Sequence, residues 1–261
     1  MLKYGLIGEK LCHSVSPQIH SNIFRETRLT ADYELYEISR ENLPEIKRFM
    51  EDNDLSGINV TIPYKQQIMP FLDEISSEAM QIGAVNTVAV KNGRLIGYNT
   101  DYYGFGKMLD FHGIAFKNKT VVVLGNGGAA RAVSAFVSNN GARDVYVVSR
   151  KQSENASIIS YDQILNLDDF LLVNTTPVGM YPNVESSPVD KDVVKKSCAV
   201  VDLIYNPKTT RLIELAKKVE KPCCNGMFML AAQAVKAQEI WRDTSFFNGL
   251  TQKIYEMQNR G

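Results

Sequence analysis

Short apolar runs alternate along this chain with stretches whose apolar residues recur at helical spacing, an order that predicts an α/β protein. Residues 2–7 predict a first strand, ended by Gly8. After the polar loop His13-Ser14-Val15-Ser16-Pro17, the positions Ile19, Ile23 and Phe24 mark the buried face of a helix, with Ser16 as N-cap and Pro17 at its first position. Residues 33–38 predict a second strand, and Leu43, Ile46 and Met50 a second helix. The run Gly57-Ile58-Asn59-Val60-Thr61-Ile62 predicts a third strand leading into a helix that opens at Pro63. Segments 86–90 and 94–98 flank Asn92-Gly93, a strong hairpin signal. A helix then starts at Asn99-Thr100-Asp101 and carries Phe105, Met108 and Leu109 as far as Gly113.

The second half is built around Val121-Val122-Val123-Leu124-Gly125-Asn126-Gly127-Gly128-Ala129-Ala130-Arg131. Four apolar residues predict a strand buried on both faces, and the glycines turn it into a helix. Further strands are expected at 144–148, 170–174 and 199–203, a helix at 210–219 and a short apolar stretch at 222–223. Two last helices, 227–241 and 247–258, follow after the strands are used up. Their apolar faces need cover, so they are expected to return to the first domain. The predicted division is residues 1–101, completed by 227–261, and residues 102–226.

Composition narrows the class. The chain has 261 residues, 44% hydrophobic and 22% charged, as in an ordinary soluble globule with ample core. Its formal net charge of +0 gives no broad attraction to nucleic acid or to a membrane surface. No signal peptide and no membrane span are expected. Cys12, Cys198, Cys223 and Cys224 have no framework spacing and the three histidines no zinc pattern, so free thiols in a reducing cytoplasm and no metal are expected. The sequence encodes no oligomeric state, and a homodimer is carried forward as an option.

The glycine turn is the first candidate for chemistry. Gly125, Gly127 and Ala130 fit G-x-G-x-x-G/A, which closes a tight turn, admits a pyrophosphate to the backbone and lets helix pack on strand. The following helix aims unpaired N–H groups at that phosphate. An acid after the next strand would hold an NAD ribose, but Ser149-Arg150-Lys151 stands there instead. Two cations suit a 2′-phosphate and point to NADP, against the plainer reading of a solvated basic turn. In the first half, Ser14, Ser16, Thr61, Lys65, Asn86 and Asp101 sit at strand ends, where an α/β fold places its ligand. A helix start at Pro63 would disfavour the Lys65 ammonium, while Asp101 as a neighbour would favour it. The residues leave two readings open: a proton-exchanging pair, or a surface lysine with a helix-capping aspartate.

Taken together, these motifs resemble the shikimate dehydrogenase family through nearly the whole chain. Ser14-Val15-Ser16-Pro17-Gln18-Ile19-His20 is similar to the family's Ser-x-Ser-Pro-x-x-His loop, whose serines hold the substrate carboxylate. Asn59-Val60-Thr61-Ile62-Pro63-Tyr64-Lys65 resembles its signature ending in the catalytic lysine. Gly83-Ala84-Val85-Asn86-Thr87 and Gly97-Tyr98-Asn99-Thr100-Asp101 match two more motifs, which implies a substrate-binding Asn86 and an Asp101 paired with Lys65. Asn174-Thr175-Thr176-Pro177-Val178-Gly179-Met180, Asp202-Leu203-Ile204-Tyr205-Asn206-Pro207 and Asn225-Gly226-Met227-Phe228-Met229-Leu230-Ala231-Ala232-Gln233 continue the match. The resemblance implies an N-terminal α/β substrate domain, a Rossmann-type NADP-binding domain and reversible, NADP-dependent reduction of 3-dehydroshikimate to shikimate. It implies Lys65 and Asp101 as catalytic pair, and Ser14, Ser16, Thr61, Asn86, Asp101, Tyr205 and Gln233 as substrate-binding. The implied cofactor residues are Gly125, Asn126, Gly127, Gly128, Ala129, Ser149, Arg150, Lys151, Leu203 and Gly226.

Two departures stand out. Lys151 replaces the usual threonine beside Arg150 and keeps the positive charge. Few residues separate Arg150 from Ile158-Ile159-Ser160, too few for the usual crossover helix. A trimmed dinucleotide domain with a thin or rebuilt wall to its adenine pocket is therefore expected, with consequences for cofactor affinity and the NADP-to-NAD ratio. The alternatives are a quinate/shikimate dehydrogenase using NAD or NADP, and a non-catalytic NADP-binding regulator; the intact Lys65 and Asp101 speak against the second. A nucleotide-hydrolysing enzyme would need a Gly-Lys-Ser/Thr after its glycines, which this loop lacks.

Overall fold

The computed structural model describes residues 1–149 and 157–260. The chain forms two compact units, one of residues 1–104 with 230–261 and one of residues 105–229.

The first unit is built on a six-stranded sheet. Its strands are β1 (Leu2–Gly8), β2 (Ala31–Glu37), β3 (Gly57–Val60), β4 (Glu74–Ile75), β5 (Thr87–Lys91) and β6 (Arg94–Tyr98), in the order β2-β1-β3-β5-β6-β4. β1 lies parallel to both β2 and β3, and β5 is antiparallel to both β3 and β6. β5 and β6 form the expected hairpin: Lys91 pairs with Arg94, and Asn92 and Gly93 both take positive φ, 52° and 72°, as a type I′ turn needs. Helices α1 (Ser16–Glu26), α2 (Ile46–Asp52) and α3 (Ser77–Ile82) belong to this unit, and α4 (Thr100–His112) begins in it. Its core gathers Ile7, Leu43, Ile46, Met50, Ile58, Tyr64, Ile68, Val85, Val88 and Leu95.

Three local expectations are corrected. No α-helix opens at Pro63: residues 62–68 form turns and a 3-10 turn follows at Met69–Phe71. The Lys65 carbonyl, which an α-helix would offer to Met69, accepts from the Val85 N–H at 2.7 Å, and Met69 N–H reaches Gln66 instead. Next, the stretch expected to open the second helix is 3-10 over Arg40–Glu45, with Pro44 inside, and the α-helix starts only at Ile46. Finally, the N-cap of α1 is Val15 without a side-chain cap, and Ser16 is already helical. The short elements β4 and α3 had no clear periodicity to announce them.

The second unit carries another six-stranded sheet, of β7 (Thr120–Leu124), β8 (Asp144–Val148), β9 (Ile158–Ile159), β10 (Phe170–Asn174), β11 (Ser197–Asp202) and β12 (Cys223–Asn225). The order β12-β11-β10-β7-β8-β9 is parallel throughout, with the sequence reversing direction at β7. Helices α5 (Gly128–Asn139), α6 (Lys191–Lys196) and α7 (Arg211–Lys218) complete the doubly wound pattern. All five residues of β7 and of β10 are buried, as their unbroken apolar runs predict. Arg150, Lys151 and the shortened connection between β8 and β9 lie outside the described residues.

Helix α8 (Met227–Arg242) starts in the second unit, and α9 (Leu250–Arg260) follows it in the first. Ile19 and Ile23 of α1 pack with Ala231, Ala234 and Val235 of α8 and with Leu250 and Ile254 of α9. The C-terminal helices thus return to the first domain, as expected.

Candidate active site

Within the first unit, Lys65 leaves the turn after β3 and Asp101 the first turn of α4. Their side chains meet at 2.6 Å, Lys65 Nζ to Asp101 Oδ2, with only 17% and 8% of each exposed. Because no helix opens at Pro63, the dipole that would act against the ammonium is absent, and the carboxylate is the lysine's close charged neighbour. Asp101 gains in turn from the N-terminus of α4. Asn99 secures that terminus: its Oδ1 accepts from the Tyr102 N–H at 3.2 Å while its Nδ2 donates to the Ala84 carbonyl at 2.8 Å.

Beside this pair lies a buried cluster of amides and hydroxyls. Asn86 Oδ1 accepts from the Thr100 N–H at 2.7 Å and from the Thr87 hydroxyl at 3.1 Å, and Asn86 Nδ2 donates to Thr100 Oγ1 at 3.0 Å. Gln233 of α8 accepts from the Thr100 hydroxyl at 3.4 Å and donates to the Leu230 carbonyl at 2.9 Å. Asn59 donates to Thr87 Oγ1 at 3.1 Å and to the Asn86 carbonyl at 3.3 Å. Thr61 follows β3, its N–H on the Ile7 carbonyl and its own carbonyl taken by Tyr64. Ser14 Oγ accepts the Ser16 N–H at 3.3 Å, so Ser14 does the work at the helix start that the pattern gives to Ser16.

The structure thus joins Lys65 to Asp101 and Asn86 to Gln233 through Thr100. Asn59, Thr87 and Thr100 were missed as members. Asn59 and Thr87 stand on strands and Thr100 at the start of α4, and the family motifs that contain them single out their neighbours instead.

The second unit places the glycine turn between β7 and α5. Gly125 has φ +103°, and a Cβ there would crowd Thr175 Oγ1 at 2.9 Å and Thr176 Cγ2 at 3.0 Å, so glycine is required. Gly127 is the N-cap of the twelve-residue α5, which has no side-chain cap and no acidic residue in its first turn. A Cβ at Gly127 would meet nothing within 4 Å. The open backbone and uncapped N–H groups of Gly128 and Ala129, next to Asn126, fit a pyrophosphate. Ser149 follows β8, its N–H on the Ile159 carbonyl at 3.2 Å.

Behind the turn, Asp202 is fully buried. Its carboxylate accepts from Asn174 Nδ2 at 2.9 Å, Ile204 N–H at 3.1 Å and the Thr210 hydroxyl at 2.6 Å. Burial outweighs these bonds and pushes its pKa up to about 6. This network fixes the loop holding Leu203 and Tyr205, and Gly226 donates its N–H to the Ile204 carbonyl at 3.1 Å. Burial also raises the Tyr205 phenol.

Among the described residues no group of three or more His, Cys, Asp or Glu could hold a metal, and no helix is long and apolar enough to cross a membrane.

Known proteins share this architecture. The family model for the shikimate dehydrogenase substrate binding domain matches residues 6–88. The chain is 43% identical over 261 residues to Shikimate dehydrogenase (NADP(+)) of Clostridium beijerinckii, covering 97% of each. A chorismate mutase/shikimate 5-dehydrogenase fusion protein from Clostridium acetobutylicum superposes with a TM-score of 0.95 at 43% identity, over 100% of this chain and 98% of that one. Shikimate 5-dehydrogenase from Thermus thermophilus, solved in complex with NADP(H) and shikimate, gives a TM-score of 0.87 at 31% identity over 98% and 99% of the two chains. With full-length identity of this order, two matching sheets and the buried Lys65–Asp101 pair, the chain belongs to the shikimate dehydrogenase family.

Proposed function

We propose that the chain is an NADP-dependent shikimate dehydrogenase that reversibly reduces 3-dehydroshikimate to shikimate, with Lys65 and Asp101 as its catalytic pair. The observation that carries the pair is the 2.6 Å contact between a nearly buried ammonium and carboxylate beside a cluster of hydrogen-bonding amides. NADPH, when bound, supplies the hydride. Lys65 Nζ holds the proton for the alkoxide that develops at the ketone oxygen, which yields the alcohol and a neutral lysine that solvent reprotonates. Asp101 orients Lys65 and accepts from a substrate hydroxyl. Thr61, Asn86 and Gln233 bind ring hydroxyls, and Ser14 and Ser16 bind the carboxylate, the role the family motif also gives to Tyr205. Gly125, Asn126, Gly127, Gly128 and Ala129 hold the pyrophosphate, Leu203 and Gly226 also bind the cofactor, and Ser149, Arg150 and Lys151 take the 2′-phosphate. The cytoplasm, where four free thiols stay reduced, is the proposed setting; a homodimer is tested by sedimentation.

Initial rates of nicotinamide reduction, with shikimate and quinate each paired with NADP and NAD, test this reading. Shikimate with NADP should be clearly preferred. A preference for quinate or for NAD would overturn the specificity, and no turnover in any pairing would overturn the enzyme. Lys65→Ala should lower turnover by roughly 10²–10⁴ with KM little changed. Near-normal turnover in that variant would refute the proton-transfer role.

A further inference from the structure

Tyr33 takes no part in the machinery above, yet its hydroxyl bonds one member of the buried amide cluster. It stands on β2 in register with Tyr4 of β1, while Asn59 of β3 is in register with Leu6 of the same strand. Both side chains therefore project from one face of the sheet, and Tyr33 reaches across β1 to donate its O–H to Asn59 Oδ1 at 2.8 Å. The phenol is clamped from the side. The His20 ring stacks on it with centroids 3.9 Å apart and planes 7° from parallel, and Gln238 of α8 holds His20 Nδ1 at 3.0 Å.

We infer that Tyr33 is a positioning residue, whose hydroxyl fixes the Asn59 amide and, through Thr87, the Asn86 side chain proposed to bind a ring hydroxyl. This rests on the reading of that site given above. Accepting from Tyr33 turns the Asn59 Oδ1 inward and commits its Nδ2 to Thr87 and Asn86, one of the proposed ring-hydroxyl ligands. Without the phenolic O–H, Asn59 keeps a buried oxygen without that donor, and its hold on Thr87 and the Asn86 carbonyl loosens. Substrate would then have to order these groups itself. Such a loss is equal in ground and transition states, so it appears in KM, not in kcat. The Lys65–Asp101 pair is untouched.

Tyr33→Phe keeps the ring and its stack on His20, so it isolates the hydroxyl. Steady-state rates should show the shikimate KM raised roughly five- to thirtyfold, with kcat within about twofold and the NADP KM unchanged. In a double-mutant cycle with Asn59→Ala, the two effects on KM should combine to less than their product. His20→Phe, which retains a ring beside Tyr33 and its hydroxyl, should leave KM within about twofold. An unchanged KM in Tyr33→Phe, a fall in kcat at constant KM, full multiplicativity in the cycle, or failure of Tyr33→Phe to fold would each overturn the role of Tyr33 alone. A wild-type chain inactive on shikimate would instead overturn the reading of the site and the inference with it.

Discussion

Gly125 and Gly127 stand two positions apart and answer to different constraints. The first holds φ +103° against Thr175 and Thr176, so its constraint lies inside the fold. Gly125→Ala should destabilise the second unit by about 1–3 kcal/mol, read as a lower urea midpoint, with or without cofactor. Gly127 has ordinary dihedrals and open space where a Cβ would go. Gly127→Ala should leave the midpoint within about 0.5 kcal/mol while weakening NADP binding at least tenfold by titration. Equal stability losses in both variants would contradict this division. Spacing made both glycines legible, but not their difference, because the crowding at Gly125 comes from the distant end of β10. Lys65 and Asp101 were visible as residue types at segment ends. Their pairing came only from the family resemblance and not from the residues themselves, since 36 residues separate them and sheet order brings them together. Tyr33 read as a plain strand residue, because nothing local says that a phenol will reach across a neighbouring strand.

At the scale of elements, α8 is seated on the first sheet through Trp241. The indole lies over Gly57 of β3, stacks on Tyr4 with centroids 4.7 Å apart and donates to the Val88 carbonyl at 2.8 Å. A side chain at Gly57 would collide with the indole, so β3 must be bare there for the helix to dock. Gly57→Ala should cost about 1–3 kcal/mol by thermal melting and raise the shikimate KM, because Gln233 rides on the same helix. Preserved stability would mean that the indole can move aside. Elements with strong local signals were legible: the buried run of β7, the Asn92-Gly93 hairpin, and α5 after its glycines. The turn after Pro63 was not, since the competing bond to the Lys65 carbonyl comes from Val85, a residue remote in sequence. Two-residue β4 and β9 are too short to carry a period at all.

Across the whole molecule, the two units carry buried groups that respond to acid in opposite senses. In the first, burial lowers the His20 pKa from 6.5 to about 3, against a weaker opposing influence of Asn59. The unfolded chain therefore binds the proton first, and His20's stabilisation, whole above pH 6.5, drains away as pH falls toward 3, on the order of 3–5 kcal/mol in total. In the second, Asp202 rises from 3.8 to about 6, so the folded state holds its proton longer. Its penalty, present in full above pH 6, is relieved as pH falls toward 3.8, on the order of 2–3 kcal/mol. Trp241 is the chain's one tryptophan and lies in the first unit, so its fluorescence follows that unit. Between pH 7 and pH 5 the urea midpoint seen by fluorescence should fall below that seen by far-ultraviolet circular dichroism. Asp202→Asn, which removes the proton-linked term in the second unit, should bring the two curves closer at pH 5. Coincident curves for the wild type throughout this range would show that one unit's acid response governs both.

The discontinuity of the first unit also sets a timetable. Residues 105–229 are contiguous, so that unit can form as soon as its stretch has left the ribosome. The first unit begins earlier but must wait for residues 230–261, which bring Gln233, Gln238 and Trp241. Until then Ile19 and Ile23 have no α8 or α9 to cover them. The half synthesised first is therefore the half completed last, and a nascent chain halted near residue 229 would present a finished dinucleotide fold beside an open apolar face of the kind that chaperones bind.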